Sequence, residues 1–223
     1  MYFLTKNKEL MIPKLHYISQ GNSPKEHIEN IQKACSAGAE LVQLRLKNIS
    51  EKKHLKLATE AREITSYFQT RLIINDDYKI AKQVKADGVF LGKTTACPIE
   101  ARKHLYTWQI IGGAANTLQD CETLIKKQVD YISLYPFRAA ETEESTALVL
   151  GLNGYSAIIE TLKTETPILG DGGITTKDVA AILETGISGI SVSDEITQDF
   201  DVIRKFNKLL SASSTDEKRH TFE

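Results

Sequence analysis

The feature that most constrains the fold is a regular alternation of short apolar, strand-like runs with segments of helix length. Eight strands are predicted at residues 14–19, 42–47, 71–75, 87–92, 108–115, 131–137, 167–170 and 189–193. Eight helices are predicted at residues 23–38, 50–68, 78–86, 98–105, 117–127, 151–163, 175–185 and 199–210. Alternation of this kind is typical of a parallel sheet covered by helices.

Two architectures fit this alternation. At this length, eight parallel units with short connections favour an α/β fold, the closed (β/α)8 TIM barrel, as a single domain over residues 12–211. An open doubly wound sheet is the alternative, but it should carry a glycine-rich loop after its first strand, and Ser19-Gln20-Gly21-Asn22 does not resemble one. In a barrel the active site lies at the carboxyl ends of the strands.

Composition limits the kinds of partner. With 41% hydrophobic and 26% charged residues the chain is globular, and its net charge of -1 offers no electrostatic case for binding nucleic acid. No apolar run approaches the roughly 20 residues needed to span a bilayer, and Met1 to Lys8 lack the apolar core of a signal peptide. We therefore predict a cytoplasmic protein that acts on small molecules, with no nucleic acid and no membrane partner. Whether it forms a homo-oligomer is left open.

The segments outside the strands and helices fall into two kinds. Residues 1–11 are interpreted as an N-terminal extension, and the polar residues 212–223 are predicted to be a disordered tail. The longest loop, residues 138–150, is long for a compact domain, and loops of this length are often functional lids.

The second predicted strand, Val42 to Lys47, carries the first sign of a site. Because side chains alternate between the faces of a strand, Gln43, Arg45 and Lys47 share one face, which carries two cations. An antiparallel strand with a solvated polar face is the ordinary explanation of such a pattern. In a parallel sheet covered by helices, however, a polar face must point into a binding site.

Two candidate anion sites lie at predicted strand ends. Arg45 and Lys47 beside the carboxylates Asp76 and Asp77 suit a pyrophosphate with Mg2+, although a structural ion pair between strand ends remains an alternative. After the seventh strand, Gly172 and Gly173 lead into a helix, where backbone N–H groups converge and favour a phosphate. A tight turn that merely requires glycine is the simpler interpretation of that segment.

These motifs together resemble the thiamine phosphate synthase/TenI family. The matching stretches, in order, are Gln43-Leu44-Arg45-Leu46-Lys47, Ile74-Asn75-Asp76, Asp87-Gly88-Val89-Phe90-Leu91-Gly92, Ile111-Gly112, Gly172-Gly173-Ile174 and residues 189–196. The resemblance implies a barrel that joins hydroxymethylpyrimidine diphosphate to a thiazole phosphate and releases pyrophosphate. It implies a pyrimidine diphosphate site that consists of Gln43, Arg45, Lys47 and Asn75, with Asp76 as the Mg2+ ligand. On the side of the thiazole it implies binding by Thr142, Gly172, Gly173, Ser193 and Asp194.

The chain departs from the family pattern at several of these positions. Thr95 stands where the family has a second metal-binding Asp, and Ala114 stands where it has a serine. The family's phosphate-gripping TxTK loop aligns with Ala140-Glu141-Thr142-Glu143, so a lysine has become Glu143. Asp171 and Asp194 add negative charge at the thiazole phosphate position, with Lys93 and Arg138 as candidate compensating cations.

Two functions follow from the resemblance and the departures. The pyrimidine half of the site predicts a thiamine phosphate synthase, a transferase that needs no protein nucleophile because charge neutralisation and positioning supply most of the catalysis. The alternative is a catalytically impaired paralogue that binds a pyrimidine or thiazole metabolite. The TenI branch, a thiazole tautomerase, uses a histidine after the fifth strand, where this chain has Asn116, so that activity is disfavoured.

Overall fold

The computed structural model describes residues 12–139 and 148–216 and shows a closed barrel of eight parallel strands. Each strand pairs with its neighbours in the sequence, and the last strand closes on the first, where Leu15 lies opposite Ile190 and Tyr17 opposite Val192. The strands are β1 (Leu15–Ile18), β2 (Leu41–Leu44), β3 (Arg71–Asn75), β4 (Gly88–Leu91), β5 (Ile110–Ala115), β6 (Tyr131–Leu134), β7 (Ile168–Asp171) and β8 (Gly189–Val192). The predicted TIM barrel is confirmed.

The helices alternate with the strands as the sequence predicts, with one addition. They are α1 (Pro24–Ser36), α2 (Glu51–Phe68), α3 (Tyr78–Gln83), α4 (Pro98–His104), α5 (Leu118–Lys126), α6 (Gly151–Thr161), α7 (Val179–Glu184), α8 (Asp194–Gln198) and α9 (Val202–Asp216). The short helix α8 was not predicted. Because it follows β8 directly, it brings Asp194 and Glu195 to the carboxyl end of the barrel.

Local capping residues explain where the helices begin. The Ser23 hydroxyl accepts the backbone N–H of Glu26 at 3.2 Å, and Pro24 occupies the first turn of α1. At the start of α5, Thr117 and Asp120 form a reciprocal capping box, with each side chain accepting the other residue's backbone N–H at 3.1 Å. Each cap satisfies N–H groups that have no partner within the helix.

Apolar residues form two separate layers. The interior of the barrel is filled by a cluster from strands β2, β3, β5, β6 and β7, namely Leu41, Ile73, Ile110, Tyr131 and Leu169. A larger core lies between the barrel and the helices and includes Val42 and Leu44. Along β2, therefore, Leu41 and Gln43 face the barrel interior while Val42 and Leu44 face the helices, as the predicted alternation requires.

Strand β2 is shorter than predicted. It ends at Leu44, so Arg45 and Lys47 lie in the loop that follows the strand and are not part of it. The physical reason is a side-chain contact: the Arg45 backbone N–H donates to the Ser19 hydroxyl at 3.0 Å. Asn48 then adopts a left-handed conformation with φ of 54°, which turns the chain towards α2.

The end of the chain also differs from expectation. Helix α9 continues to Asp216, so residues 212–216 of the predicted disordered tail are helical, with the buried Phe206 and Leu210 anchoring the preceding turns. None of the described helices combines the length and apolarity that crossing a bilayer requires.

Candidate active site

The carboxyl ends of β2, β3 and β4 are joined by a chain of hydrogen bonds. Gln43, only 2% exposed, donates from Nε2 to Asn75 Oδ1 at 2.7 Å. Asn75 in turn donates from Nδ2 to Asp76 Oδ2 at 2.5 Å, and the Gly92 backbone N–H donates to Asp76 Oδ1 at 2.8 Å. Three adjacent strand ends therefore hold one exposed carboxylate, that of Asp76, in a defined orientation.

The backbone at Asp76 contributes to this orientation. Asp76 has φ of 64°, in the left-handed region that aspartate tolerates better than most residues, and its N–H donates to the Phe90 carbonyl at 2.7 Å. A Cβ at Gly92 would lie 3.1 Å from Asp76 Oδ1. Gly92 therefore allows the backbone after β4 to approach the carboxylate closely.

Asp77, which the sequence groups with Asp76, has a different role. Its Oδ1 accepts the Ile80 backbone N–H at 2.9 Å and so caps helix α3. Its Oδ2 lies 4.0 Å from Nδ1 of His54, whose pKa is lowered by burial and raised in part by this carboxylate. The structure thus separates the two carboxylates: Asp76 faces the site, and Asp77 supports the helix.

The two predicted cations lie in the loop that follows the strand next to β3, at the end of which Asp76 lies. Both of these residues, Arg45 and Lys47, are exposed. The Ser19 hydroxyl, which accepts the Arg45 N–H, also lies 2.9 Å from His27 Nδ1. Burial lowers the pKa of His27, and the nearby Arg45 charge lowers it further. Neither Ser19 nor His27 was among the predicted site residues. Ser19 could have been found from the sequence, because it directly follows β1 and so lies at the carboxyl end of a strand.

On the other side of the barrel, β6 and β7 meet at Asp171. The Ser133 hydroxyl donates to Asp171 Oδ2 at 3.0 Å, and the Asp171 backbone N–H donates to the Tyr155 hydroxyl at 3.0 Å. Burial raises the pKa of Asp171, against the lowering effects of the Ser133 hydrogen bond and the Arg45 charge.

Both glycines of the turn after β7 have a left-handed backbone. Gly172 and Gly173 have φ of 95° and 71°, and a Cβ on Gly173 would lie 3.1 Å from Arg138 Cβ. Arg138 is not available as a free compensating cation, because its guanidinium contacts the Gly173 carbonyl and pairs with Asp178 at 2.8 Å. Lys93, the other candidate cation, pairs with Asp120 at 2.8 Å.

Two of the remaining residues predicted to bind the thiazole, Ser193 and Asp194, lie at the end of β8. The Ser193 hydroxyl donates to the Ile18 carbonyl at 3.0 Å, which ties the end of β8 to β1. Asp194 is exposed as the first residue of α8. Thr142, together with Ala140, Glu141 and Glu143, lies outside the described residues.

Two departures from the family pattern have defined positions. The Thr95 hydroxyl donates to the Gly92 carbonyl at 2.9 Å, and a Cβ at Gly92 would lie 3.6 Å from Thr95 Cγ2 and 3.1 Å from Asp76 Oδ1. Thr95 is therefore close to the Asp76 carboxylate. Ala114 on β5 lies opposite Ser133 on β6 in the strand register. The neighbouring strand therefore carries a hydroxyl group beside the position where the family has a serine.

The donor set can be tested for a fit to Mg2+. Within residues 12–139 and 148–216, no cluster of three or more His, Cys, Asp or Glu side chains could hold a metal. Mg2+ typically takes one or two carboxylates and completes its shell with substrate phosphates and water. A single oriented carboxylate, Asp76, beside a diphosphate fits this pattern, whereas a site formed by protein ligands alone does not.

The family profile and two relatives with similar sequences carry the same enzyme name. A family profile described as thiamine monophosphate synthase matches residues 15–196. A "Thiamine-phosphate synthase" of Flavobacterium johnsoniae is 40% identical over 209 residues, which cover 91% of this chain and 99% of the relative. Another of the same name, from Bacteroides thetaiotaomicron, is 33% identical over 200 residues, covering 88% of this chain and 96% of that relative.

A solved structure agrees with these relatives. "Thiamine phosphate pyrophosphorylase from Pyrococcus furiosus" superposes with a TM-score of 0.76 at 27% identity, covering 89% of this chain and 94% of that chain. The family profile spans the barrel from β1 to α8, and the resemblance that the sequence motifs indicate is confirmed. The chain belongs to the thiamine monophosphate synthase family.

Proposed function

We propose that this chain is a thiamine phosphate synthase that transfers the pyrimidinylmethyl group of hydroxymethylpyrimidine diphosphate to the nitrogen of a thiazole phosphate. The products are thiamine phosphate and pyrophosphate. The observation that carries the proposal is the hydrogen-bonded chain from Gln43 through Asn75 to Asp76, with Arg45 and Lys47 at the adjoining strand end. The names of the relatives support the same reaction.

The roles of the residues follow from the charge of the leaving group. Arg45 and Lys47 supply positive charge for the diphosphate oxygens, and this charge counts for most where water is partly excluded. Asp76 would hold Mg2+ against the same diphosphate, and the bound ion would supply further neutralisation of the leaving pyrophosphate. Gln43 and Asn75 orient Asp76 and offer amide groups to the pyrimidine. No serine or cysteine nucleophile is required.

The test is the reaction itself. Purified protein incubated with hydroxymethylpyrimidine diphosphate, thiazole phosphate and Mg2+ should form thiamine phosphate and pyrophosphate in equal amounts. Arg45→Ala should lower kcat/KM by about 100-fold, because it removes charge stabilisation of the leaving group. Arg62→Ala is a matched control, since Arg62 pairs with Asp87 away from the site and its loss should leave kinetics unchanged.

The second candidate is a paralogue that binds the pyrimidine diphosphate without turning it over. The observation that favours it is Thr95, a neutral side chain close to Asp76 where a second carboxylate would strengthen the metal site. Calorimetric binding of the pyrimidine diphosphate in the presence of Mg2+, with no product above background, would select this candidate and reject the synthase.

A further inference from the structure

Ser19 ties the segment that carries Arg45 to the first strand. Ser19 directly follows β1 and is only 3% exposed, and its backbone N–H donates to the Gln43 carbonyl at 2.9 Å. Its hydroxyl accepts the Arg45 backbone N–H at 3.0 Å. One residue therefore binds the backbone on both sides of Leu44, at the point where β2 ends.

The Ser19 hydroxyl takes the place that a backbone carbonyl has in an ordinary parallel ladder. There, a residue donates its N–H to the neighbouring strand, and its carbonyl accepts an N–H two positions further along that strand. Here the second acceptor is a side-chain oxygen, so the position of the Arg45 backbone depends on the rotamer of Ser19. A serine side chain has three staggered rotamers, and a further contact can select one of them.

His27 of α1 supplies that further contact. Its Nδ1 lies 2.9 Å from the Ser19 hydroxyl oxygen. Burial lowers the pKa of His27 below its ordinary 6.5, although the backbone at Gly21 and the Glu26 carboxylate raise it in part. The Arg45 charge lowers it further, so the ring is neutral at physiological pH. A neutral ring with Nδ1 as its acceptor takes the hydroxyl proton of Ser19 and leaves a lone pair for the Arg45 N–H.

The loop between β1 and α1 holds the imidazole in place. The buried Asn30 of α1 donates from Nδ2 to the Gln20 carbonyl at 2.8 Å. Glu26 Oε2 accepts the Asn22 backbone N–H at 2.7 Å. Both contacts join the loop to the helix that carries His27. A group that is ordered before its ligand arrives loses less entropy on binding, so these contacts favour a preorganised site.

We propose that Ser19 and His27 are positioning residues for the diphosphate, in which the hydroxyl fixes the backbone at Arg45 and the imidazole fixes the hydroxyl. The inference rests on the proposed function, in which Arg45 neutralises the leaving group, and it assigns no chemical step to either residue. Charge stabilisation depends on the distance and orientation of the cation. Loss of either positioning group should therefore weaken diphosphate binding even though Arg45 is still present.

The first experiment uses inorganic pyrophosphate with Mg2+ as the probe, titrated by calorimetry. Ser19→Ala should weaken binding by about tenfold, and Arg45→Ala by at least as much. The decisive measurement is the double variant. Because Ser19 acts through Arg45, the double variant should bind no more weakly than Arg45→Ala alone. Ser36→Ala removes an exposed hydroxyl at the other end of α1 and is the matched control, with binding equal to wild type.

Two substitutions of His27 test the second contact. Asparagine keeps a hydrogen-bonding group at the place of Nδ1, whereas leucine offers none. His27→Leu should weaken pyrophosphate binding by about threefold or more, and His27→Asn should restore most of the wild-type affinity. In the Arg45→Ala background, His27→Leu should cause no further loss.

The outcomes separate this inference from the proposed function. The titrations need no turnover, so the product assay alone decides the proposed function. Equal losses from Ser19→Ala in the wild-type and Arg45→Ala backgrounds would overturn the inference, because they would show that Ser19 acts on the fold and not through Arg45. Unchanged binding in Ser19→Ala, in Arg45→Ala or in His27→Leu would also overturn it, as would equal losses in His27→Leu and His27→Asn.

Thermal unfolding of every variant identifies any that does not fold. If Ser19→Ala is unfolded, the two substitutions of His27 in the wild-type and Arg45→Ala backgrounds decide the question by the same comparison.

Discussion

Among single residues, the neighbouring carboxylates of Asp76 and Asp77 have different structural roles. Asp76 is exposed and directed by Asn75 and Gly92, whereas Asp77 is bonded to the first turn of α3. The two side chains are adjacent in sequence, but the left-handed backbone of Asp76 sends them to different surroundings. Substitutions at these positions should therefore affect different measurements.

Asp76→Asn should weaken Mg2+-dependent binding of the pyrimidine diphosphate by about tenfold or more, because hard cations bind through the charge of their oxygen ligands. Asparagine tolerates the left-handed backbone and keeps one of the two accepting oxygens, and both hydrogen bonds to Asp76 are exposed to water, so stability should change little. Asp77→Ala should instead lower the free energy of unfolding by about 1 kcal/mol through loss of the cap, with the Mg2+ dependence unchanged. Calorimetry and urea unfolding of both variants check the separation, and reversed results would contradict it.

Thr95→Asp should strengthen the coupling between Mg2+ and the pyrimidine diphosphate, because it places a second carboxylate beside Asp76. The measurement is the affinity for the pyrimidine diphosphate as a function of Mg2+ concentration in wild type and variant. Thr94→Asp adds the same charge at the neighbouring exposed position and serves as the control. Equal Mg2+ dependence in the wild type and Thr95→Asp would mean that Thr95 does not adjoin the metal.

Asp171 should make stability depend on pH. Because burial raises its pKa above the ordinary 3.8, the folded protein holds this proton more tightly than the unfolded chain. Its contribution to stability is therefore full at low pH and falls as the pH rises from 3.8 through the raised pKa. Asp171→Asn, which can still accept the Ser133 hydrogen bond, should gain in Tm relative to wild type across this window. Calorimetric Tm values between about pH 3 and pH 8 check this, and a constant difference would contradict it.

At the scale of elements, a single hydroxyl joins α6 to two strands. Tyr155 lies on α6, and its hydroxyl donates to the Leu134 carbonyl of β6 at 2.9 Å and accepts the Asp171 N–H of β7 at 3.0 Å. These contacts set the distance between the helix and the strand that carries Asp171. A second buried tyrosine, Tyr131, has no hydrogen-bond partner for its hydroxyl among the described residues.

Tyr155→Phe should lower the free energy of unfolding by about 1–3 kcal/mol, because it leaves a buried N–H and a carbonyl without their partner. Tyr131→Phe, at the same level of burial, should be neutral or stabilising, since its hydroxyl loses no hydrogen bond. Urea unfolding of the two variants is the measurement. Similar losses in both would show that packing, and not hydrogen bonding, determines the effect.

At the scale of the whole molecule, the barrel interior is a packed core beneath a polar opening. Tyr131 spans this core, with its ring centroid 5.0 Å from that of His16 and 6.2 Å from that of Phe90. The full burial of His16 lowers its pKa to about 3, so its imidazole is neutral within the core at physiological pH. The barrel interior at this level is therefore a packed core and not a pore.

Gly112→Ala should destabilise the barrel by about 1–3 kcal/mol or more, because the added Cβ would lie 2.2 Å from Cζ of the enclosed Tyr131 ring. Gly113→Ala is the matched control on the other face of β5. Its Cβ would meet Leu124 Cδ2 at 2.7 Å, the flexible end of a side chain on α5, so the loss should be smaller. Thermal unfolding of both variants measures the two losses of stability. A larger loss in Gly113→Ala than in Gly112→Ala would contradict a rigid barrel interior.

Local sequence patterns are enough to predict the barrel and to place Asn75 and Asp76 at the end of a strand. The alternation of strands and helices, the caps at Ser23 and Thr117 and the residues at strand ends are local patterns, and local patterns follow from the periods of strands and helices. Parallel strands also place their carboxyl ends at one edge, which predicts that Lys47, Asn75 and Asp76 lie near one another, and the family resemblance adds Gln43 to this group.

The pairing of the polar groups depends on the folded barrel and could not be predicted from local patterns. Ser19 ends β2 by taking the Arg45 N–H, Ser133 reaches Asp171 from the neighbouring strand, and Glu195 takes the Thr176 N–H. These partners are 26, 38 and 19 residues apart in the chain. No local period encodes contacts at such separations. They arise because closure of the barrel brings distant loops to the same edge, where each buried N–H and carboxylate must find a partner.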